Sequence, residues 1–328
     1  MPQTGFGDRL AAAVAARESQ VVLGIDPDPV RLWPQALARA SEARAGLATA
    51  MAAAVDAAEA VGDGTAPPLH TGPLEAAAAV LAHALELLAA AGPACVAVKP
   101  QLACFERLGA PGWLALEVLA DRARAAGLLV VVDGKRGDVP VTARAYAQAL
   151  VTGANSPFGP LPGLRADAFT ANPLLGRDAL EPLIDGARAT GAGVFVLVRT
   201  SNPGAADLLD LPLAGGEPLW ERLATLVAEL GRDDGGLADV GAVTGATAPE
   251  HLERMRALMP RAPFLLPGIG AQGGDVAALA PAFAPGRAGG LVTASRSIAG
   301  AHETRGGDPA AAARAEAERL RDQAWALA

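Results

Sequence analysis

The sequence predicts a single-domain (β/α)8 barrel of the TIM type, and three observations carry the prediction. Eight short runs rich in valine, leucine and isoleucine alternate with longer helical patterns along 328 residues. The runs are almost continuously apolar instead of alternating, as parallel strands covered on both faces must be. The polar residues that break the pattern gather at the carboxyl ends of the runs, the end at which such barrels carry their chemistry. A doubly wound open sheet is the runner-up architecture.

The first run, VVLGID (21–26), ends on Asp26. The stretch from Arg31 to Gly92 is too long for one crossover, so two helices are expected there, the second over 73–91, joined by the Gly/Pro-rich insert VGDGTAPPLHTG at 61–72. CVAVKP (95–100) carries Lys99 near its end, and a helix over 112–126 returns the chain to LLVVVD (128–133). A helix over 140–150 and a second insert, TGANSPFGPLPG (152–163), precede ADAFTA (166–171). Helix 176–189 leads to GVFVLVRT (193–200), and helix 217–231 to ADVGAVTG (238–245). After helix 248–258, FLLPGIG (264–270) opens a glycine-rich loop. Helix 273–280, GGLVTAS (289–295) and a last helix over 308–327 complete the chain.

Composition narrows the function. A net charge of -8 and a pI near 5.1 argue against nucleic acid, which requires a basic face. The amino terminus has no charged segment followed by an apolar one, and Asp56, Glu59, His83 and Glu86 interrupt the alanine-rich stretches short of a bilayer span. No membrane partner and a cytoplasmic location are therefore expected. Cys95 and Cys104 match neither a disulfide framework nor a metal motif and are expected to be reduced core thiols. His70, His83, His251 and His302 have no partner at metal-ligand spacing, so no metal is expected.

Among 27 basic residues only two are lysines, Lys99 and Lys135, and each closes an apolar run. Arginine serves where a cation alone is wanted; lysine is a point charge that can also give up a proton. Asp133, Lys135 and Asp138 form D-x-K-x-x-D, and the strand period of two puts Asp133 and Lys135 on one side. The loop G268-I-G-A-Q-G273 follows the seventh run instead of the first, so it suits a phosphate cradle better than a dinucleotide fold, with Arg296 as a forked cation beside it. Asp26 in GIDPDP fits a ligand contact or a turn.

The set GIDPDP, VKPQ, VVDGKRGDV with Thr142, ANPLLGRDALEPL, VRTSNPGA, PGIGAQGG and ASRSI resembles the orotidine 5'-monophosphate decarboxylase family, in particular its longer bacterial members. The likeness runs from about Asp8 to the last strand. It departs from the shorter members in the longer segments 61–72 and 152–163 and in valine at 139, where isoleucine is usual. The resemblance implies a homodimeric barrel with shared active sites. It implies conversion of orotidine 5'-monophosphate to uridine 5'-monophosphate and carbon dioxide, the last step of de novo UMP synthesis, without metal or organic cofactor. It also implies that Lys99, Asp133, Lys135 and Asp138 form an alternating charge network in which Lys135 protonates C6. Asp26 and Thr142 would hold the ribose, Ser201 the pyrimidine edge, and Gln272 and Arg296 the phosphate. Two other functions remain open: a metal-dependent sugar-phosphate decarboxylase or aldolase on the same barrel, and a catalytically silent phosphate-binding barrel.

Overall fold

Each of the eight apolar runs forms a strand, because valine and leucine fill both faces of a ribbon that is covered inside and out. Residues 5–61, 71–232, 235–270 and 273–328 are described by a computed structural model, the side chains of 50–61 and 71 excepted. The barrel strands are β1 Val21–Ile25, β2 Ala97–Pro100, β3 Leu129–Arg136, β4 Ala168–Ala171, β5 Gly193–Arg199, β6 Val240–Thr244, β7 Phe264–Pro267 and β8 Gly290–Ala294. Neighbours run parallel, and β8 pairs with β1, Val22 opposite Thr293, so the sheet closes. The open-sheet alternative is excluded.

Strand parity divides the core in two. Val22, Ala97, Val131, Ala168, Phe195, Val243, Leu265 and Leu291 fill the barrel, while their neighbours Val21, Leu23, Val98, Val130, Val132 and Val194 pack under the helices. Phe6, Leu10 and Val14 of the helix Phe6–Arg17 join the inner cluster. The Phe6 ring stands edge-on to Phe195 at 5.8 Å and packs on Gly193 at the start of β5, closing the amino-terminal end of the barrel. The carboxyl ends of the strands, where Lys99, Asp133 and Lys135 lie, form the opposite end.

The helices follow the expected order, with three local differences. The two helices before β2 are Pro34–Val61 and Thr71–Ala91, packed on one another; residues 62–70, most of the first insert, lie outside the described residues. The stretch Gly72–Ala94 is long and apolar enough to cross a membrane, but 67% of its apolar window is buried against the rest of the molecule. The helix from Pro140 ends at Ala147 and continues as a π turn over Gln148–Thr152. The second insert is a hairpin, Ala154–Ser156 against Gly159–Leu161, with Phe158 exposed at its tip. The segment expected as a helix over 273–280 is instead 3-10 helical over Val276–Phe283, where Pro281 lacks the N–H an α-helix would need.

Candidate active site

The inward parity that fills the barrel with apolar side chains continues toward the carboxyl ends as polar ones. Ala97 and Lys99 lie two apart on β2, Val131, Asp133 and Lys135 on β3, and Ala168 and Thr170 on β4. They converge on Asp133. Its Oδ2 accepts from Lys99 Nζ at 2.7 Å and Gln101 Nε2 at 3.3 Å. Its Oδ1 accepts from Lys135 Nζ at 2.7 Å and the Thr170 hydroxyl at 2.9 Å. Asp26, just past β1, places Oδ1 3.9 Å from Lys99 Nζ.

Burial and charge oppose each other at this centre. Burial by itself would raise the Asp133 carboxyl, but the two ammoniums outweigh it and hold the group well below the usual carboxylate range. Burial would likewise lower the Lys99 ammonium, yet Asp133 and then Asp26 keep it above its ordinary value. Lys99 is 4 % exposed and Asp133 7 %, so this ion pair is dry on one side. The Lys135 side chain is 44 % exposed and faces the open mouth. A fixed anion thus holds two cations, one buried as an anchor and one presented to a ligand.

The backbone at β3 is shaped for this presentation. A Cβ at Gly134 would lie 2.5 Å from Leu102 Cδ1, so a side chain there would have to displace the buried Leu102. Lys135 takes φ +46°, a left-handed conformation that costs an L-residue on the order of 1 kcal/mol. Across the mouth, a Cβ at Gly24 would meet Ser295 Oγ at 1.7 Å, and its absence lets β1 approach the end of β8. Asp26 and Arg296 therefore line the same cavity.

That cavity, of about 360 Å3, is lined by Asp26, Lys99, Asp133, Lys135, Ser201 and Arg296, with Val243, Leu265 and Ile269 as an apolar wall. A larger chamber of about 940 Å3, with Trp33 and His83 in its wall, adjoins it and shares Asp26, Ser295 and Arg296. The smaller one holds the charge network and is the candidate site. Sequence reasoning missed Gln101, Thr170, Asn202 and Thr293, which line it too. The available signal was a polar residue in an apolar run near its carboxyl end, as in ADAFTA.

Asp138 and Thr142 are not brought to this cavity by their own chain. The Asp138 carboxylate accepts from the Val139 N–H at 2.8 Å, and Thr142 is exposed on the helix from Pro140. Gln272 lies outside the described residues. The loop expected to cradle phosphate is tied to itself: the amides of Gly270, Gly273 and Gly274 donate to Gly274, Gly270 and Gly268 carbonyls. Arg296 is the cation of this corner and, among the described residues, has no carboxylate partner. Cys95 and Cys104 are free thiols, and burial pushes Cys95 up to about 12. Among the described residues no three His, Cys, Asp or Glu side chains cluster as metal ligands do.

Known proteins are similar to this chain along most of its length. The profile of the orotidine 5'-phosphate decarboxylase / HUMPS family matches residues 45–315. An orotidine 5'-phosphate decarboxylase of Deinococcus radiodurans is 45% identical over 245 residues, 74% of this chain and 83% of its own. That of Roseiflexus castenholzii is 38% identical over 97% of this chain and 96% of its own. A Streptomyces avermitilis crystal structure given the same function superposes with a TM-score of 0.73 at 30% identity, over 100% of this chain and 97% of that one. With a closed parallel barrel, a lysine–aspartate–lysine network at its mouth and this similarity along the chain, the protein belongs to the orotidine 5'-phosphate decarboxylase family of carboxy-lyases.

Proposed function

We propose that the protein converts orotidine 5'-monophosphate to uridine 5'-monophosphate and carbon dioxide, with Lys135 as the catalytic acid. The observation that carries this is the Lys135 ammonium, held 2.7 Å from a buried aspartate that a second, buried lysine also holds. The C6–carboxylate bond breaks, its electron pair stays on C6, and carbon dioxide leaves. An sp2 carbon delocalises that pair poorly, so an adjacent fixed cation lowers the barrier and then supplies the proton. The neutral lysine regains a proton from water. Atoms and electrons balance without an oxidant, a reductant or an organic cofactor.

In this reading Asp26 and Thr142 hold the ribose hydroxyls, Ser201 the pyrimidine edge, and Gln272 and Arg296 the phosphate. Asp26, Ser201 and Arg296 line one cavity together with Lys135, which supports this reading. The enzyme works in the cytoplasm as a homodimer in which Asp138 and Thr142 complete the site of the other subunit. Supporting this are their positions outside their own cavity and the exposed Val139 (55%) and Val141 (84%) that flank them. Phosphate binding far from the breaking bond supplies energy that can close the loop 202–216 over the base; the second loop, 271–275, lies partly outside the described residues.

The test is the ultraviolet loss of orotidine 5'-monophosphate in the presence of EDTA. Turnover is expected. Activity only on addition of a divalent cation would point to sugar-phosphate chemistry, and binding without turnover to a silent barrel.

A further inference from the structure

β3 and β4 lose their common register where the chemistry sits. Between the pairs Val132 with Phe169 and Arg136 with Ala171, the residues Asp133, Gly134 and Lys135 face Thr170 alone. Such a break leaves a main-chain donor without its ladder acceptor. The Lys135 N–H donates instead to the Thr170 hydroxyl at 2.8 Å. That hydroxyl directs its own proton to Asp133 Oδ1, at 2.9 Å, the oxygen that also accepts from Lys135 Nζ. One hydroxyl therefore holds Lys135 at its root, through the amide, and at its tip, through the carboxylate. Thr170 is 1 % exposed, so water cannot take over either bond.

We propose that Thr170 is a positioning residue for the decarboxylation, whose hydroxyl fixes the left-handed backbone of Lys135 and the Asp133 carboxylate in one arrangement so that the ammonium meets C6. The inference rests on the decarboxylase function proposed above. It goes beyond packing because the packing and the hydrogen bonds belong to different atoms of the side chain. The methyl fills space, and valine would fill it equally well. The hydroxyl alone bridges Lys135 and Asp133, and serine would keep it.

The experiment compares wild type, Thr170→Val and Thr170→Ser for kcat, KM with orotidine 5'-monophosphate, dissociation of uridine 5'-monophosphate, and thermal midpoint. Thr170→Val is expected to lower kcat by at least about fivefold while KM and product affinity stay within about threefold, since the hydroxyl acts on the reacting cation and not on uniform binding. Thr170→Ser is expected to keep kcat within about threefold of wild type. A smaller loss in Thr170→Val, an equal loss in both variants, or a loss expressed equally in product affinity would overturn the proposal. If Thr170→Val does not fold, Thr170→Ala against Thr170→Ser decides in its place: impaired alanine with active serine supports the proposal, and equal activities overturn it. Failure of the parent reading has a different signature, a wild-type protein that does not convert the nucleotide at all.

Discussion

At the scale of single residues, Asp133 organises the site and Arg296 gives it a far end. Asp133 receives four donors, two on each oxygen, so neither lysine can move without breaking a charge-assisted bond. Arg296 has no such partner among the described residues and is exposed in the cavity, which leaves its guanidinium open to an anionic ligand, the phosphate in the function proposed above. A charge-assisted contact of that kind contributes about 1.5–3 kcal/mol, so Arg296→Ala should lower kcat/KM for the nucleotide by roughly 10- to 100-fold. Turnover of the phosphate-free nucleoside should not change; steady-state kinetics on both substrates decides, and equal losses would place Arg296 in another role. Lys99, Asp133 and Lys135 were legible in the sequence because a charge ending an apolar run must face a mouth or pair internally, and these do both. Thr170 was not legible. Its role depends on three residues of β3 facing one of β4, and that register is a property of two strands that neither sequence states alone.

Among the elements, all eight strands could be placed from sequence, since runs buried on both faces leave no polar alternation to confuse them. The helix Phe6–Arg17 was not singled out, because its contribution lies in three side chains, Phe6, Leu10 and Val14, that fill a barrel end visible only after closure. The helix Thr71–Ala91 carries a different feature, the buried His83. Its Nδ1 accepts from the Trp33 N–H at 3.2 Å and its ring stands edge-on to the Trp33 indole. Burial, aided by His302, lowers the His83 imidazole from 6.5 to about 4. A group whose folded value lies below its unfolded one takes up its proton later in the native state. Its stabilising contribution is therefore complete above pH 6.5 and is lost as the pH falls toward 4. From pH 7 to 5 this amounts to on the order of 2 kcal/mol. Denaturant unfolding at the two pH values should show wild type losing more stability than His83→Gln by about that amount, and parallel losses would show that His83 does not titrate in this range.

For the whole molecule, the barrel with its site accounts for Asp26, Lys99, Asp133, Lys135, Ser201 and Arg296, but it leaves Asp138 and Thr142 outside. A twofold partner resolves this if each subunit lends those two residues to the other. Lys135→Ala and Asp138→Ala homodimers should then be nearly inactive. In a mixed dimer one site lacks both residues and the other is intact. After subunit exchange, verified by mass spectrometry, activity should return to about a quarter of the wild-type level, since half the dimers are mixed and each has one good site of two. If exchange restores nothing, Asp138 serves its own subunit. The expectation of a shared site came from the family resemblance and not from spacing, because a contact between subunits would leave no trace in the periodicity of one chain.

Decarboxylation by the Lys135 ammonium is tested most directly by Lys135→Ala, with turnover of orotidine 5'-monophosphate and binding of uridine 5'-monophosphate measured on the same preparation. The ammonium acts chiefly on charge that appears in the transition state, so kcat should fall below a tenth of wild type, more than about 1.4 kcal/mol of barrier, while product affinity changes by less than about threefold. A variant that keeps more than about a tenth of kcat, or that loses product binding as much as turnover, would contradict the assignment of Lys135 as the catalytic acid.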